Sequence, residues 1–87
     1  MSYQVRLRRI AQKQLDRLKG QDYQRIAKAI FALEREPRPP KVKKLAESGL
    51  WRLRVGQYRV VYNINEAENL VIVVRVARRV ESTYRGL

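Results

Sequence analysis

The stretch W-R-L-R-V-G-Q-Y-R-V-V-Y-N-I, residues 51–64, followed after a short polar break by L-V-I-V-V-R-V, residues 70–76, decides the fold. Residues 50–55, 58–64 and 70–76 each alternate between apolar and polar or run apolar, over lengths typical of strands. Gly56 and Gln57 fit a two-residue hairpin turn with glycine at its first central position. Residues 65–69 form a second, polar turn. Three consecutive strands joined by short turns make an antiparallel meander.

The turns set an expected register. With Gly56 and Gln57 at the turn, Val55 pairs with Tyr58 and Arg54 lies opposite Arg59. With Ile64 opposite Leu70, Arg59 lies opposite Arg75. Arg52, Arg54, Arg59 and Arg75 then share one face. Trp51, Leu53, Val55, Tyr58, Val60, Tyr62, Ile64, Leu70, Ile72, Val74 and Val76 share the other. Like charges directly opposite each other destabilise a sheet by a few tenths of a kcal/mol, up to ~1 kcal/mol. A row of arginines makes sense if a phosphate backbone neutralises it; the plainer alternative is a solvated outer face.

Upstream, residues 2–7 alternate, with Tyr3, Val5 and Leu7 on one side and Gln4 and Arg6 on the other, as in a short strand. From residue 9 to about 19 the period becomes helical: Ile10, Ala11, Gln14, Leu15 and Leu18 form one stripe. Gly20 is a plausible helix terminator with positive φ. Asp22 is placed to cap a second helix over residues 23–36, with a buried stripe of Tyr23, Ile26, Ala27, Ile30 and Leu33 and Phe31 at its margin. Pro37 stops that helix and opens a loop carrying Lys41, Lys43 and Lys44. The expected fold is α+β, in the order β-α-α-β-β-β, with a helix hairpin on one face of a mostly antiparallel four-stranded sheet. Residues 1–87 read as one domain.

Twenty Lys and Arg against eight Asp and Glu leave a formal charge of +12. That much charge on 87 residues exceeds what solubility needs and points to a polyanionic partner. There is no cysteine, hence no disulfide framework and no thiol nucleophile, which suits a reducing cytoplasm. There is no histidine, the commonest acid–base group near neutral pH and the commonest metal ligand. Catalysis would fall to Tyr, Lys, Arg, Glu or Asp, and no metal or small-molecule cofactor is expected. No apolar run is long enough to span a bilayer and no signal-peptide pattern is evident, so no membrane partner is expected. Beyond the last strand, Arg78, Arg79, Tyr84 and Arg85 extend the basic face with one phenol.

Residues 45–84 resemble the RelE/ParE toxin superfamily. The resemblance rests on residues 51–64, on L-V-I-V-V-R-V-A-R-R at residues 70–79, on Tyr84, and on Lys44-Leu45 before the first of these strands. The Y-R-V-V-Y core, residues 58–62, is characteristic of the superfamily but not of one activity. In the RelE branch, members are toxins that enter the ribosomal A site and cut mRNA. The resemblance then implies that Arg52 and Arg54 hold the RNA backbone and that Arg59 stabilises the scissile phosphate. It carries Arg79 and Tyr84 over as the other catalytic residues, while Arg75, Arg78, Lys43 and Lys44 join the RNA-binding set from the residue reading. Many relatives read G-H-R where this chain has Ala77-Arg78-Arg79. The implied partners are a RelB-like antitoxin, the ribosome and mRNA. Two rival readings are a ParE-like inhibitor of DNA gyrase and a non-catalytic nucleic-acid-binding relative.

Overall fold

The computed structural model describes residues 2–79. The chain runs β1 (Gln4–Leu7), α1 (Arg9–Asp16), α2 (Gly20–Ala32), β2 (Lys43–Lys44), β3 (Trp51–Val55), β4 (Tyr58–Asn65) and β5 (Leu70–Arg78). The sheet order is β1-β5-β4-β3-β2. Among the described residues only the β1–β5 pair is parallel. The α+β class and the order of the main elements are as expected. Among the described residues the sheet has five strands instead of four, because Lys43 and Lys44 pair with Arg52 and Trp51. A two-residue strand in a lysine-rich loop leaves no alternation to read.

The first helix starts at residue 9 as expected but stops earlier than its periodicity suggests, and the second both starts and stops earlier. In α1 the ladder ends at Asp16, and Leu18 N–H bonds back to the carbonyl of Leu15 at 3.0 Å. Gly20 has the expected positive φ, 58°, yet it opens α2 instead of merely ending α1. Asp22 therefore lies within the first turn, where a carboxylate favours the helix dipole. It accepts a hydrogen bond from the Tyr58 hydroxyl at 3.3 Å and makes no cap. Both helices bury their inner stripes: Ala11 and Leu15 from α1, Ile26 and Ile30 from α2, with Leu33 just beyond. Ile10 stays 53% exposed and Tyr23 39%, so both lie outside the stripes expected for them, and Phe31 at the margin is 61% exposed.

The β3–β4 hairpin has the expected register, with Val55 opposite Tyr58 and Arg54 opposite Arg59. Gly56 at its turn has φ 59°, and a Cβ there would sit 3.1 Å from the Arg25 guanidinium. The β4–β5 register differs from expectation. Asn65, not Ile64, pairs with Leu70. The ladder then shifts between Val61 and Tyr62: Tyr62 faces Val73 and Val61 faces Arg75, leaving Val74 as an extra residue in β5. Val71 and Val73 therefore enter the core before the bulge and Val76 enters after it. Leu70, Ile72 and Val74, expected inward, turn to the face away from the helices. β1 reaches only as far as Val73 along β5. Beyond it Gln14 of α1 takes over, its side-chain carbonyl accepting from Val76 N–H at 2.7 Å.

Tyr62 is fully buried, and its hydroxyl donates to the Pro37 carbonyl at 2.7 Å. That bond ties the start of the α2–β2 connection to the core. The same connection grips Trp51 at both ends: the Arg38 guanidinium lies 5.1 Å and the Lys44 ammonium 5.7 Å from the ring centroid. Arg38 also pairs with Glu66 at 2.8 Å, an exposed contact that adds little stability by itself.

Candidate nucleic-acid interface

The helices cover one face of the sheet and leave the other open. The pleat puts the cations of the central strands on the open face in two rows. One row runs Lys43, Arg52, Val61, Arg75 across β2, β3, β4 and β5. The other runs Arg54, Arg59, Ala77. Arg52, Arg54, Arg59 and Arg75 do share a face, as the alternation requires. Arg75, however, is displaced by the bulge to lie opposite Val61, and Arg59 has Arg54 on one side and Ala77 on the other. The arrangement keeps two direct like-charge pairs, Lys43–Arg52 and Arg54–Arg59, each at a cost of up to ~1 kcal/mol, and spares Arg59 a second such neighbour.

Two concavities open on this face. The larger, about 420 Å³, is lined by Leu45, Leu50, Arg52, Arg59, Val61, Val74 and Arg75. The smaller, about 300 Å³, is lined by Lys41, Lys43, Arg52 and Arg54 alone. Four cations and no anion around one cleft form an electrostatic trap for phosphate. Arg52 belongs to both. Its side chain is half-buried, and its Nε–H is buried with no hydrogen-bond acceptor. An unmet buried donor is unfavourable until an acceptor oxygen arrives.

Arg79 follows β5 and extends the ladder: its backbone N–H donates to the Gln57 carbonyl at 2.6 Å, and Nη1 reaches the Gly56 carbonyl at 3.4 Å. It is thus anchored beside the β3–β4 turn, with its Nε–H buried and unmet. Lys44 and Arg78 are not brought to this face. Lys44 pairs with Trp51 and lies over its ring, while Arg78 pairs with Tyr58 and donates to the Gln57 side chain at 3.1 Å. Tyr84 lies outside the described residues.

Sequence reasoning missed Lys41 as part of the site and missed the apolar floor of the larger concavity. Lys41 sits at φ 77° in an irregular loop, where no periodicity could assign it a face. The floor had a signal: Val71-Ile72-Val73-Val74 is apolar in both phases, which is what a strand reads when both faces are used. Arg6 also reaches the open face, opposite Ile72.

No histidine exists in the chain, so among the described residues the two clefts on this face present Lys and Arg as their charged groups. Tyr62 takes no part: it lies in the core, and burial pushes its phenol well above its ordinary value, only partly countered by the Arg38 charge. Among the described residues no group of three His, Cys, Asp or Glu could hold a metal, and no helix is long and apolar enough to cross a membrane.

The same fold occurs in a chain of the archaeal RelE–RelB complex from Pyrococcus horikoshii, 31% identical, with a TM-score of 0.82 over 93% of this chain and 99% of that one. It occurs in a chain of the RelBE2 toxin–antitoxin complex from Mycobacterium tuberculosis, 29% identical, with a TM-score of 0.80 over 91% and 100%. A chain of the chromosomal ParDE system of P. aeruginosa is 14% identical, with a TM-score of 0.74 over 91% and 98%, a likeness of fold alone. No curated protein sequence matches the chain. Residues 5–82 match the family described as the ParE toxin of type II toxin–antitoxin systems, parDE.

Proposed function

The chain belongs to the ParE toxin family of type II toxin–antitoxin systems, within the RelE/ParE superfamily, and within that superfamily we propose that its activity is ribosome-dependent cleavage of mRNA. The observation that carries this reading is the convergence of Arg52, Arg54, Arg59, Arg75 and Lys43 on one open sheet face with clefts between them. It is supported by identities of 31% and 29% to chains of RelE–RelB and RelBE2 complexes.

In this reaction the ribose 2′-hydroxyl attacks the adjacent phosphate, and the 5′-oxygen of the next nucleotide leaves. Arginine holds its proton too tightly to act as the base. Arg59 and Arg79 therefore stabilise the charge that builds on the phosphate oxygens. Arg52, Arg54 and Lys43 bind the flanking backbone, each neutralising a phosphate. Tyr84 is assigned to orient the reacting group or to move a proton. Much of the rate comes from the pose in which the ribosome presents the mRNA. The partner that silences the toxin is a RelB-like antitoxin, whose acidic segments complement the +12 surface.

The deciding experiment adds the purified protein to ribosomes programmed with a defined mRNA and maps cuts by primer extension. Cleavage in the A-site codon supports the reading. The family description also names ParE and so favours, as a second reading, an inhibitor of DNA gyrase. Intact mRNA together with blocked supercoiling by purified gyrase selects that reading.

Two further outcomes are expected. Arg52→Ala and Arg54→Ala should each lower the slope of log affinity against log salt for single-stranded RNA by roughly 0.7, the value for one lost phosphate contact. Circular dichroism should remain unchanged, because Arg54→Ala removes a like-charge pair. Unaltered slopes in both variants remove these residues from the RNA face. In cells, induction of the chain alone should arrest growth, and co-expression of the cognate antitoxin should restore it. Normal growth with abundant soluble protein argues against a toxin.

A further inference from the structure

The outer face of a half-covered sheet is ordinarily polar. Here the aliphatic side chains of Leu45, Leu50, Val61 and Val74 line the larger concavity together with arginines. Val74 reaches it through the bulge that shifts the β4–β5 ladder. A surface that binds phosphates alone needs the cations and has no use for this floor.

We propose that the larger concavity is a base-binding subsite. It takes one unstacked nucleobase of a single-stranded RNA, while the adjoining cleft of Lys41, Lys43, Arg52 and Arg54 takes the neighbouring phosphate. The inference deepens the reading of this face as an RNA interface and rests on it. About 420 Å³ lies within the range of small-ligand sites, which begins at roughly 300 Å³. A nucleobase has apolar faces and a polar edge. Aliphatic floor and guanidinium rim match the two, since arginine planes stack on bases and their N–H groups reach base acceptors. Arg52 stands at the junction, lining both concavities with its Nε–H unmet. It joins the base pocket to the phosphate cleft, and Leu45, Leu50 and Val74 set which base fits.

The test uses the full chain and fluorescein-labelled 2′-O-methyl tetranucleotides, which cannot be cut because the attacking hydroxyl is capped. Affinity is compared by anisotropy with that of a backbone of the same length lacking its bases. The base-free oligomer should bind about tenfold more weakly to the wild type. Its salt slope should be the same, because the phosphates are equal in number. Val74→Phe fills the pocket and should erase that difference; Leu50→Ala enlarges it and should reorder the preference among the four bases. Equal wild-type affinity with and without bases overturns the proposal, as does a difference that survives in folded Val74→Phe. If Val74→Phe does not fold, an unaltered base ranking in Leu50→Ala overturns it. A synthetic alternating Glu–Leu peptide that binds the wild type but not Val74→Phe, with no base dependence of RNA binding, reassigns the pocket to an acidic protein segment. No ribosome enters the assay, so failure of cleavage on programmed ribosomes and failure of this proposal are separate results.

Discussion

Arg59→Ala is expected to slow single-turnover cleavage of ribosome-bound mRNA by roughly 10²–10³-fold, the usual loss when one preorganised transition-state donor is removed. The reason lies in where the sheet holds this side chain. β4 is the central strand, paired along both edges, so its backbone cannot shift to let another cation take over. Val60 and Tyr62, its neighbours on the opposite face, are fully buried and fix the pleat that aims Arg59 outward. The side chain is half-buried and lines the larger cleft, where a charge is worth more than in open water. Its cross-strand neighbour Arg54 makes an unoccupied site electrostatically unfavourable, a repulsion that an arriving phosphate relieves. Arg59→Lys should recover only part of the rate, because lysine keeps the charge and loses the two-pronged geometry. Tyr84→Phe should cost little if the phenol orients or stacks, and as much as Arg59→Ala if it transfers a proton. A folded Arg59→Ala protein that cuts at the wild-type rate would falsify the proposed site.

Tyr62 should give the largest effect on stability. Among the described residues it is the largest fully buried side chain, and its hydroxyl is bonded to the Pro37 carbonyl. Tyr62→Ala should cost about 3–5 kcal/mol, the range for truncating a buried aromatic. A domain of this size has roughly 5–15 kcal/mol in all, so the variant should melt near room temperature or not fold. Tyr62→Phe keeps the ring and strands the Pro37 carbonyl, at about 1–3 kcal/mol. Alkali separates the two contributions. The folded state holds the Tyr62 proton to a pH above the ordinary phenol value of 10.0, at which the unfolded chain releases it. The stabilisation is therefore complete below that value and lost as pH rises past it. Urea titrations at about pH 9 and about pH 11 should show a larger loss for the wild type than for Tyr62→Phe. Equal losses would mean that the phenol is not held in its neutral form by burial.

The two pairings around Arg59 differ in how far they can be read from the chain. Arg54 opposite Arg59 is legible because a two-residue glycine turn admits one register, and the pairing lies only two residues from it. Arg75 is not. The turn after Asn65 spans Glu66, Ala67, Glu68 and Asn69, is closed by the Asn65 side chain and by Asn69 at φ 51°, and shifts the pairing by one. The bulge at Val74 then shifts it again. Two shifts restore Arg75 and Val76 to the expected faces, which is why the four arginines share a face although their cross-strand alignment differs from expectation. Between the shifts, Val71 to Val74 are apolar in either phase, so alternation had nothing to discriminate. Lys44 and Arg78 carry charge that composition alone assigns to no face; strand parity turns Lys44 over the Trp51 ring and Arg78 toward the Gln57 side chain.

What the amino-acid sequence determined by itself was local. The period of two in the second half, the change to a helical period in the first, the glycine turn and the excess of 12 positive charges each depend on residues close along the chain or on composition alone. They suffice for the α+β class, the order of its main elements and a basic open face. The tertiary structure decided what depends on contacts between distant segments. Tyr62 meets Pro37, Gln14 meets Val76, and Arg38 and Lys44 both approach the Trp51 ring. Those contacts satisfy buried polar groups and hold a loop whose own sequence specifies no conformation. They carry Lys41 and Lys43 to the rim, and the ladder shift exposes Val74 on the floor beside Arg52. A cleft is a property of surfaces brought together, and its shape is set by packing that no single segment encodes.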